Sequence, residues 1–273
     1  MKNSGMTAPV EIDVVMLSFA RDRQLYEMNL TAIRTLRESN PGIRFHVILI
    51  ESNQDFPSFG WSYDPETVVH IPKEKFNYNR FNNIGMRMGK APWILFTNND
   101  VVFHPNSIVK MLEAHHDRPD VECLCPVDPV SSYTPPGFFP ENQKVAEGYH
   151  VRTTFTGWCF LVKRSIFEKI GAFDENFDYY FADDDFVMEL RKFDVRNAAV
   201  VDAHVNHLYN ATSSKSDGDF NERMQKDYVR FHQKWGSPRL IAWRNRLAVH
   251  LLRPLGMKGL INRLYAAKVA PVK

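Results

Sequence analysis

Over its first 127 residues the chain alternates short apolar runs with amphipathic stretches, and this alternation limits the fold more than any other feature. The segments "DVVMLSF" (13–19), "FHVILIES" (45–52), "TVVHIP" (67–72), "WILFTNND" (93–100) and "VECLCPV" (121–127) read as buried strands. Between the first two lies "RDRQLYEMNLTAIRTLRES", where Leu25, Met28, Leu30, Ile33 and Leu36 recur near helical spacing. Pro41-Gly42 closes that helix. "RFNNIGMRMGK" and "SIVKMLEAHHD" read as two more helices. Strands and helices joined by short connections imply an α/β fold with a mainly parallel sheet flanked by helices.

The order breaks after residue 127. Residues 126–156, with "PVDPVSSYTPPGFFPENQ", are rich in Pro, Gly and aromatics. A long loop inside a compact domain is either functional or disordered. Tyr133, Phe138 and Phe139 favour a structured loop that contacts something. "GWCFLVKRSIFEKIG" resumes as a strand running into a helix, and "FDENFDYYFADDDFVMELRKF" enters a further helix at an acidic cluster. "NAAVVDAHVNHLY" is a last strand, and "NATSSKSDGDF" has the composition of a mobile loop.

Length and composition fit one large domain, or one domain with an appendage: 273 residues, 44% of them hydrophobic. No apolar run is long enough to span a bilayer. The N-terminus lacks the ordered basic, apolar and small regions of a signal peptide, so the expectation is a cytoplasmic protein. Three cysteines, Cys123, Cys125 and Cys159, make no disulfide framework and read as reduced, partly buried thiols.

The net charge of +2 is unevenly spread. Residues 228–273 hold ten Lys or Arg and no carboxylate, which leaves residues 1–227 at −8. The expected division is therefore a main domain over 1–227, the catalytic one if the resemblance given below holds, and a basic helical extension over 228–273. In that extension Leu240, Trp243, Leu247 and Leu251 recur at helical spacing, interleaved with Arg239, Arg244, Arg246 and Arg253. A basic amphipathic helix suits an anionic membrane surface, DNA phosphates, or packing on its own domain.

Four places carry candidate chemistry. Asn98, Asn99 and Asp100 stand between two apolar runs, either as a turn or as a site at the C-terminal end of a sheet strand. A carboxylate there is placed to hold Mg²⁺ or Mn²⁺ on a substrate diphosphate. Asp183, Asp184 and Asp185 adjoin a helix start, as an acidic cap or as a general base. His204 and His207 end the last strand; three apart on a strand, they face opposite ways, so at most one joins a metal at Asp100. Glu51 ends the second strand, either contacting a nucleobase or capping a turn. The chain has no G-x-G-x-x-G after the first strand and no G-x-x-x-x-G-K-[ST], which lowers the dinucleotide and nucleoside-triphosphate readings.

Together these segments resemble the inverting GT-A-fold glycosyltransferases of the family 2 type, nearest the rhamnosyltransferase-like group, over roughly residues 12–214. "VVMLSFARDR" is similar to the family's opening strand and turn, retaining Arg21. "VILIESNQ" places Glu51 where the family has a base-binding Asp. "FNYNRFNNIGM" matches a Phe-Asn-[Phe/Tyr]-Ser-x-x-Asn-x-Gly pattern, with Asn79 in place of the Ser and Asn83 and Gly85 kept. "LFTNNDVVF" looks like the metal-binding Asp-x-Asp element in its Asn-Asn-Asp form, with Asp100 as the retained ligand. "TGWCFLVKRSIFEKIGAFDENF" resembles the acceptor-side segment. "YYFADDDF" resembles the Glu-Asp-x-Asp-Leu element of the catalytic base, with Ala182 in the Glu place. "VNHLYNATS" matches a late His segment, which favours His207 over His204.

The resemblance implies a metal-dependent transferase that uses a UDP-, dTDP- or GDP-linked sugar and Mg²⁺ or Mn²⁺. Its donor side would use Ser18, Arg21, Glu51, Arg80, Asn83, Asn98 and Asn99. Asp100 and His207 would serve the metal, Trp158, Gly157 and Tyr133 the acceptor, and Asp183, Asp184 or Asp185 the base. A glycan or lipid-linked saccharide is the expected acceptor, with a location at the inner face of the membrane. Two other functions stay open. One is the same chemistry on nucleic acid (a hydroxymethylated DNA base) or on protein. The other is non-catalytic binding of a nucleotide-sugar or carbohydrate.

Overall fold

Continuous apolar runs form strands here because both faces of the sheet are covered. The computed structural model describes residues 9–208, 220–236 and 251. The elements are β1 (Val10–Ser18), α1 (Arg23–Ser39), β2 (Ile43–Glu51), β3 (Thr67–His70), α2 (Tyr78–Met88), β4 (Trp93–Asn98), β5 (Val101–Phe103) and α3 (Ser107–Asp117). They continue with β6 (Val121–Val127), β7 (Val145–Glu147), β8 (Cys159–Lys163), α4 (Ile166–Ile170), α5 (Ala182–Lys192), β9 (Arg196–His207) and α6 (Phe220–Trp235). Along β1, Ile12, Val14 and Met16 join one core layer with Ile33, Leu36 and Ile108. Val15 and Leu17 join the opposite layer with Phe81, Phe160 and Phe186. This two-sided burial leaves no polar face for the strand to display.

The strand order is β3-β2-β1-β4-β8-β6-β9-β5, with β7 also paired to β9. β3, β2, β1 and β4 run parallel, as the alternation predicted. The sheet as a whole is mixed rather than mainly parallel. β8 enters antiparallel between β4 and β6, and β5 and β7 pair antiparallel with β9. The reason lies in residues 128–158, which contain no helix; a parallel return needs a crossover connection, usually helical. That segment is an ordered series of turns carrying β7.

Polar side chains fix the helix ends. Asp22 accepts from the Leu25 N–H at 2.9 Å to cap α1, and Asn77 accepts from the Arg80 N–H at 2.8 Å to cap α2. At the edge opposite the C-terminal ends of the parallel strands, buried Asp13 pairs with Arg164 at 2.5 Å and accepts from the Ala91 N–H at 2.7 Å. Asp13→Ala would remove the carboxylate partner of the Arg164 guanidinium, leaving it only the Ala91 and Met86 carbonyls, and would free the Ala91 N–H. Its unfolding free energy is expected to fall by about 3 kcal/mol, seen as a lower urea midpoint at an unchanged slope. An unchanged midpoint would contradict a stabilising role for the pair.

The chain divides into two compact units, Met1–Phe220 and Asn221–Lys273. The expected 227/228 boundary lies inside α6. The loop expected at 210–219 and the basic segment with Arg239, Arg244, Arg246 and Arg253 lie outside the described residues. Among the described residues, no helix is long and apolar enough to cross a membrane. Cys123, Cys125 and Cys159 are unpaired and buried.

Candidate functional site

Parallel register brings the C-terminal ends of three strands to one edge, with Ser18 beside Glu51 and Leu17 beside Asn98. A buried hydrogen-bond chain crosses this edge. Ser18 Oγ donates to Glu51 Oε2 at 2.6 Å, and Asn29 Nδ2 donates to Ser18 Oγ at 2.7 Å. Asn99 Nδ2 donates to Asn29 Oδ1 at 2.7 Å. Glu51 also accepts from the backbone N–H groups of Asn53 (2.7 Å) and Ala20 (3.2 Å). Its oxygens are thereby committed to the loops after β1 and β2, and the residue is fully buried. Asn29 joins those loops to the Asn98–Asp100 turn, and the sequence reading missed it. A signal was present: Asn29 sits on the stripe of α1 that buries Leu25, Ala32, Ile33 and Leu36. A polar group there must find a partner.

The Asn-Asn-Asp stretch forms both a turn and a wall of this edge. β4 ends at Asn98 and β5 starts at Val101, which pairs with His207 at the end of β9. The Leu208 N–H donates to the Asp100 carbonyl at 2.9 Å, and the Asn98 N–H donates to the Trp158 carbonyl at 2.8 Å. This pairing sets Asp100 Oδ1 3.2 Å from His207 Nε2. The Trp158 ring stacks on the His207 ring, with centroids 4.8 Å apart and planes 13° from parallel. His204 turns away and meets the Val201 carbonyl at 3.0 Å. Asp100 Oδ1 is buried and accepts no hydrogen bond. An orphaned carboxylate oxygen beside an imidazole nitrogen fits a divalent cation that tolerates O and N donors. Among the described residues no third His, Cys, Asp or Glu completes a cluster, so the remaining ligands would come from substrate or water.

Asp183 stands at the start of α5, just after Phe181, whose φ is 58°. Its carboxylate lies directly on Gly157. A Cβ built on Gly157 would sit 2.0 Å from Asp183 Oδ1, so only glycine admits this approach. Tyr78 fixes that glycine by donating from its hydroxyl to the Gly157 carbonyl at 2.7 Å. Burial pushes the Asp183 carboxyl up to about 7; Asp184 adds to the rise, and the Arg152 guanidinium opposes it. Burial also raises Asp184, again against Arg152. Asp185 is buried at 2% exposure. Asp183, of the three, lines an adjoining cleft of about 190 Å³ together with Trp158, Tyr133, Arg152 and Asp128.

Asp128, at the end of β6, is a second residue the sequence reading missed. It accepts from the Val130 N–H at 3.0 Å and the His207 N–H at 3.3 Å, tying the cleft wall to the end of β9. Its signal was a carboxylate just past another strand end, in "PVDP".

Other expected donor residues lie apart from this cluster. Asn83 donates to the Phe173 carbonyl at 2.9 Å and accepts from the Phe173 N–H at 3.0 Å. Asn77 and Asn79 donate to the carbonyls of Glu175 and Asp174 at 2.9 and 2.8 Å. Arg80 pairs with Glu175 at 2.9 Å. The "FNYNRFNN" motif is thus spent on holding the 173–178 loop that leads into α5. Arg21, just past β1, lies over the Phe19 ring at 5.6 Å and near Asp22 at 3.9 Å.

The chain matches no protein-family model and no curated protein. Among solved structures it is similar to GalNAc-T7, crystallised with UDP, GalNAc and Mn²⁺, at a TM-score of 0.61 and 10% sequence identity. The match covers 82% of this chain and 48% of that one, so the chain spans about half the length of GalNAc-T7. At that identity the likeness concerns the fold, and it supports the GT-A fold expected from the sequence.

Proposed function

We propose that the chain is an inverting glycosyltransferase of the family 2 type, moving a hexosyl or deoxyhexosyl group from a nucleotide-sugar to an acceptor hydroxyl. One observation carries this reading. A single sheet edge holds Asp100, whose buried Oδ1 accepts no hydrogen bond and lies 3.2 Å from His207 Nε2, next to a cleft where Asp183 presents a carboxyl of raised pKa. A leaving-group site beside a proton acceptor is what a direct displacement requires. GalNAc-T7, which shares the fold, was crystallised with UDP and Mn²⁺.

Asp183 takes the proton from the acceptor hydroxyl in the cleft, and the oxygen attacks the anomeric carbon opposite the departing diphosphate. The configuration inverts. Gly157 lets the carboxylate approach, and Tyr78 keeps Gly157 in place. Asp100 and His207 would hold Mg²⁺ or Mn²⁺, which would neutralise charge on the leaving diphosphate. Trp158 locks the His207 ring and offers a sugar face its apolar surface. The Glu51–Ser18–Asn29–Asn99 chain keeps the donor-side loops and the Asp100 turn in one arrangement. A glycan or lipid-linked saccharide is the proposed acceptor, and a lipid-linked one suits the basic segment after residue 236.

Nucleotide release from a panel of UDP-, dTDP- and GDP-sugars tests the reading. One nucleotide class is expected to be turned over, with release suppressed by EDTA and restored by Mn²⁺ or Mg²⁺. A transferred sugar of inverted anomeric configuration is expected by NMR. Absence of release from every donor, with no thermal shift by any of them, would point instead to a fold kept without this activity.

A further inference from the structure

We propose that the cleft beside Asp183 selects acceptors bearing an anionic group, a carboxylate or a phosphate, and that Arg152 reads that group. The proposal rests on the assignment of this cleft to the acceptor.

Arg152 is held in an unusual way. Its φ is 75°, in the left-handed region that side-chain-bearing residues avoid. A tight loop imposes this conformation. The His150 carbonyl accepts from the N–H groups of Thr154 and Phe155, both at 3.0 Å, and the Arg152 N–H donates to the Phe155 carbonyl at 2.7 Å. Strain of this kind persists where the surroundings over-determine it, often at ligand clamps. A glycine would relieve it, yet the position carries the longest cationic side chain.

The guanidinium is also aimed. It lies over the Tyr133 ring, 5.0 Å from the centroid, with Tyr133 itself on the 128–134 turn that forms another wall of the cleft. A cation over an aromatic face is held without using its N–H donors. Those donors are free: Arg152 makes no ion pair and no side-chain hydrogen bond among the described residues, whereas Arg80, Arg118 and Arg164 each hold a carboxylate. The Asp128 carboxylate in the same wall is taken up by the Val130 and His207 N–H groups. Asp183 must stay available for its proton.

The cleft of about 190 Å³ has room for a single sugar ring. Such a ring would present one hydroxyl to Asp183 and another substituent to Arg152. A planar fork of N–H donors recognises a carboxylate or phosphate bidentately, and a neutral hydroxyl far less well. The donor diphosphate is a rival source of the same chemistry, but the reading above assigns it to the Asp100–His207 pair, and neither of those residues lines this cleft.

The experiment uses the full chain saturated with Mn²⁺ and UDP. Binding of methyl β-D-glucoside, methyl β-D-glucuronide and glucose 6-phosphate is followed by saturation-transfer NMR. An anionic sugar is expected to bind at least about tenfold more tightly than the neutral glycoside. Arg152→Gly, which suits the left-handed backbone and so preserves the fold, is expected to erase the difference and leave UDP affinity unchanged. Arg152→Lys is expected to keep part of it. Equal binding of all three sugars by the wild type, or a preference that survives Arg152→Gly, overturns the proposal. So does a loss of UDP affinity in Arg152→Gly, which would assign the guanidinium to the donor. The function itself is read separately through nucleotide release and its loss in Asp183→Asn. A failed anion preference with intact transfer therefore sinks only the acceptor class.

Discussion

Asp183→Asn is expected to lower kcat by about 10³-fold while KM for the donor stays within about twofold. The substitution keeps the shape that rests on Gly157 and removes only the ability to accept a proton. Burial and Asp184 raise this carboxyl to about 7, so wild-type kcat/KM should climb with pH through about 7 and level off above it. The variant should lose that limb. A residual rate within tenfold of wild type would move the base to Asp184. The same shift has a stability consequence of defined sign. A carboxyl with a higher pKa folded than unfolded favours the fold below pH about 4, and this advantage is lost as pH rises through about 7. Metal-free, ligand-free Asp183→Asn should therefore melt above the wild type at pH 8 and level with it at pH 4.

Asp100→Ala is the second large effect. It is expected to cut metal-stimulated turnover by at least about 10²-fold, since it removes the anionic protein donor proposed for the cation. Mn²⁺ titration followed by EPR should show weakened binding in the absence of any donor sugar, a readout independent of catalysis. His207→Ala should weaken Mn²⁺ less, because an imidazole contributes no charge when neutral. If Asp100→Ala binds Mn²⁺ and releases nucleotide like the wild type, the cation is held elsewhere.

Much of this arrangement was legible because it rests on local pattern. The runs that became β1, β2, β4 and β6 are apolar throughout since both faces are covered, and short connections fixed their parallel order. Asp100 was readable as a carboxylate at a strand end. Strand alternation limited the metal to one of His204 and His207, the resemblance chose His207, and β5 pairing with β9 brings His207 to Asp100. What escaped depends on partners distant in sequence. β8 reverses direction because of what the 128–158 segment lacks, and no residue in β8 itself reports that. Asn29 and Asp128 act through hydrogen bonds to loops whose positions only the assembled sheet defines. Arg152 owes its importance to a backbone dihedral that composition does not reveal. Arg80 and Asn83 sit in a motif whose order was recognised, but their side chains grip the chain itself rather than facing the cluster at the strand ends.

The asparagine ladder on α2 bears on the order in which the molecule matures during synthesis. Its rungs at Asn77, Asn79 and Asn83 close on residues 98, 95 and 90 positions later. Contacts of such separation form late, since closing the intervening chain must precede any gain from them. A nascent chain that has emerged through β4 can assemble the four parallel strands β3, β2, β1 and β4 and the loops after β1 and β2, yet its α2 amides still face water. The Asp183 carboxylate cannot be set over Gly157 until the 173–178 loop arrives to dock on them. The parallel half of the sheet therefore precedes the placement of Asp183, and a ribosome-bound fragment ending near residue 170 should be ordered at β1 and β2 while lacking the proposed base.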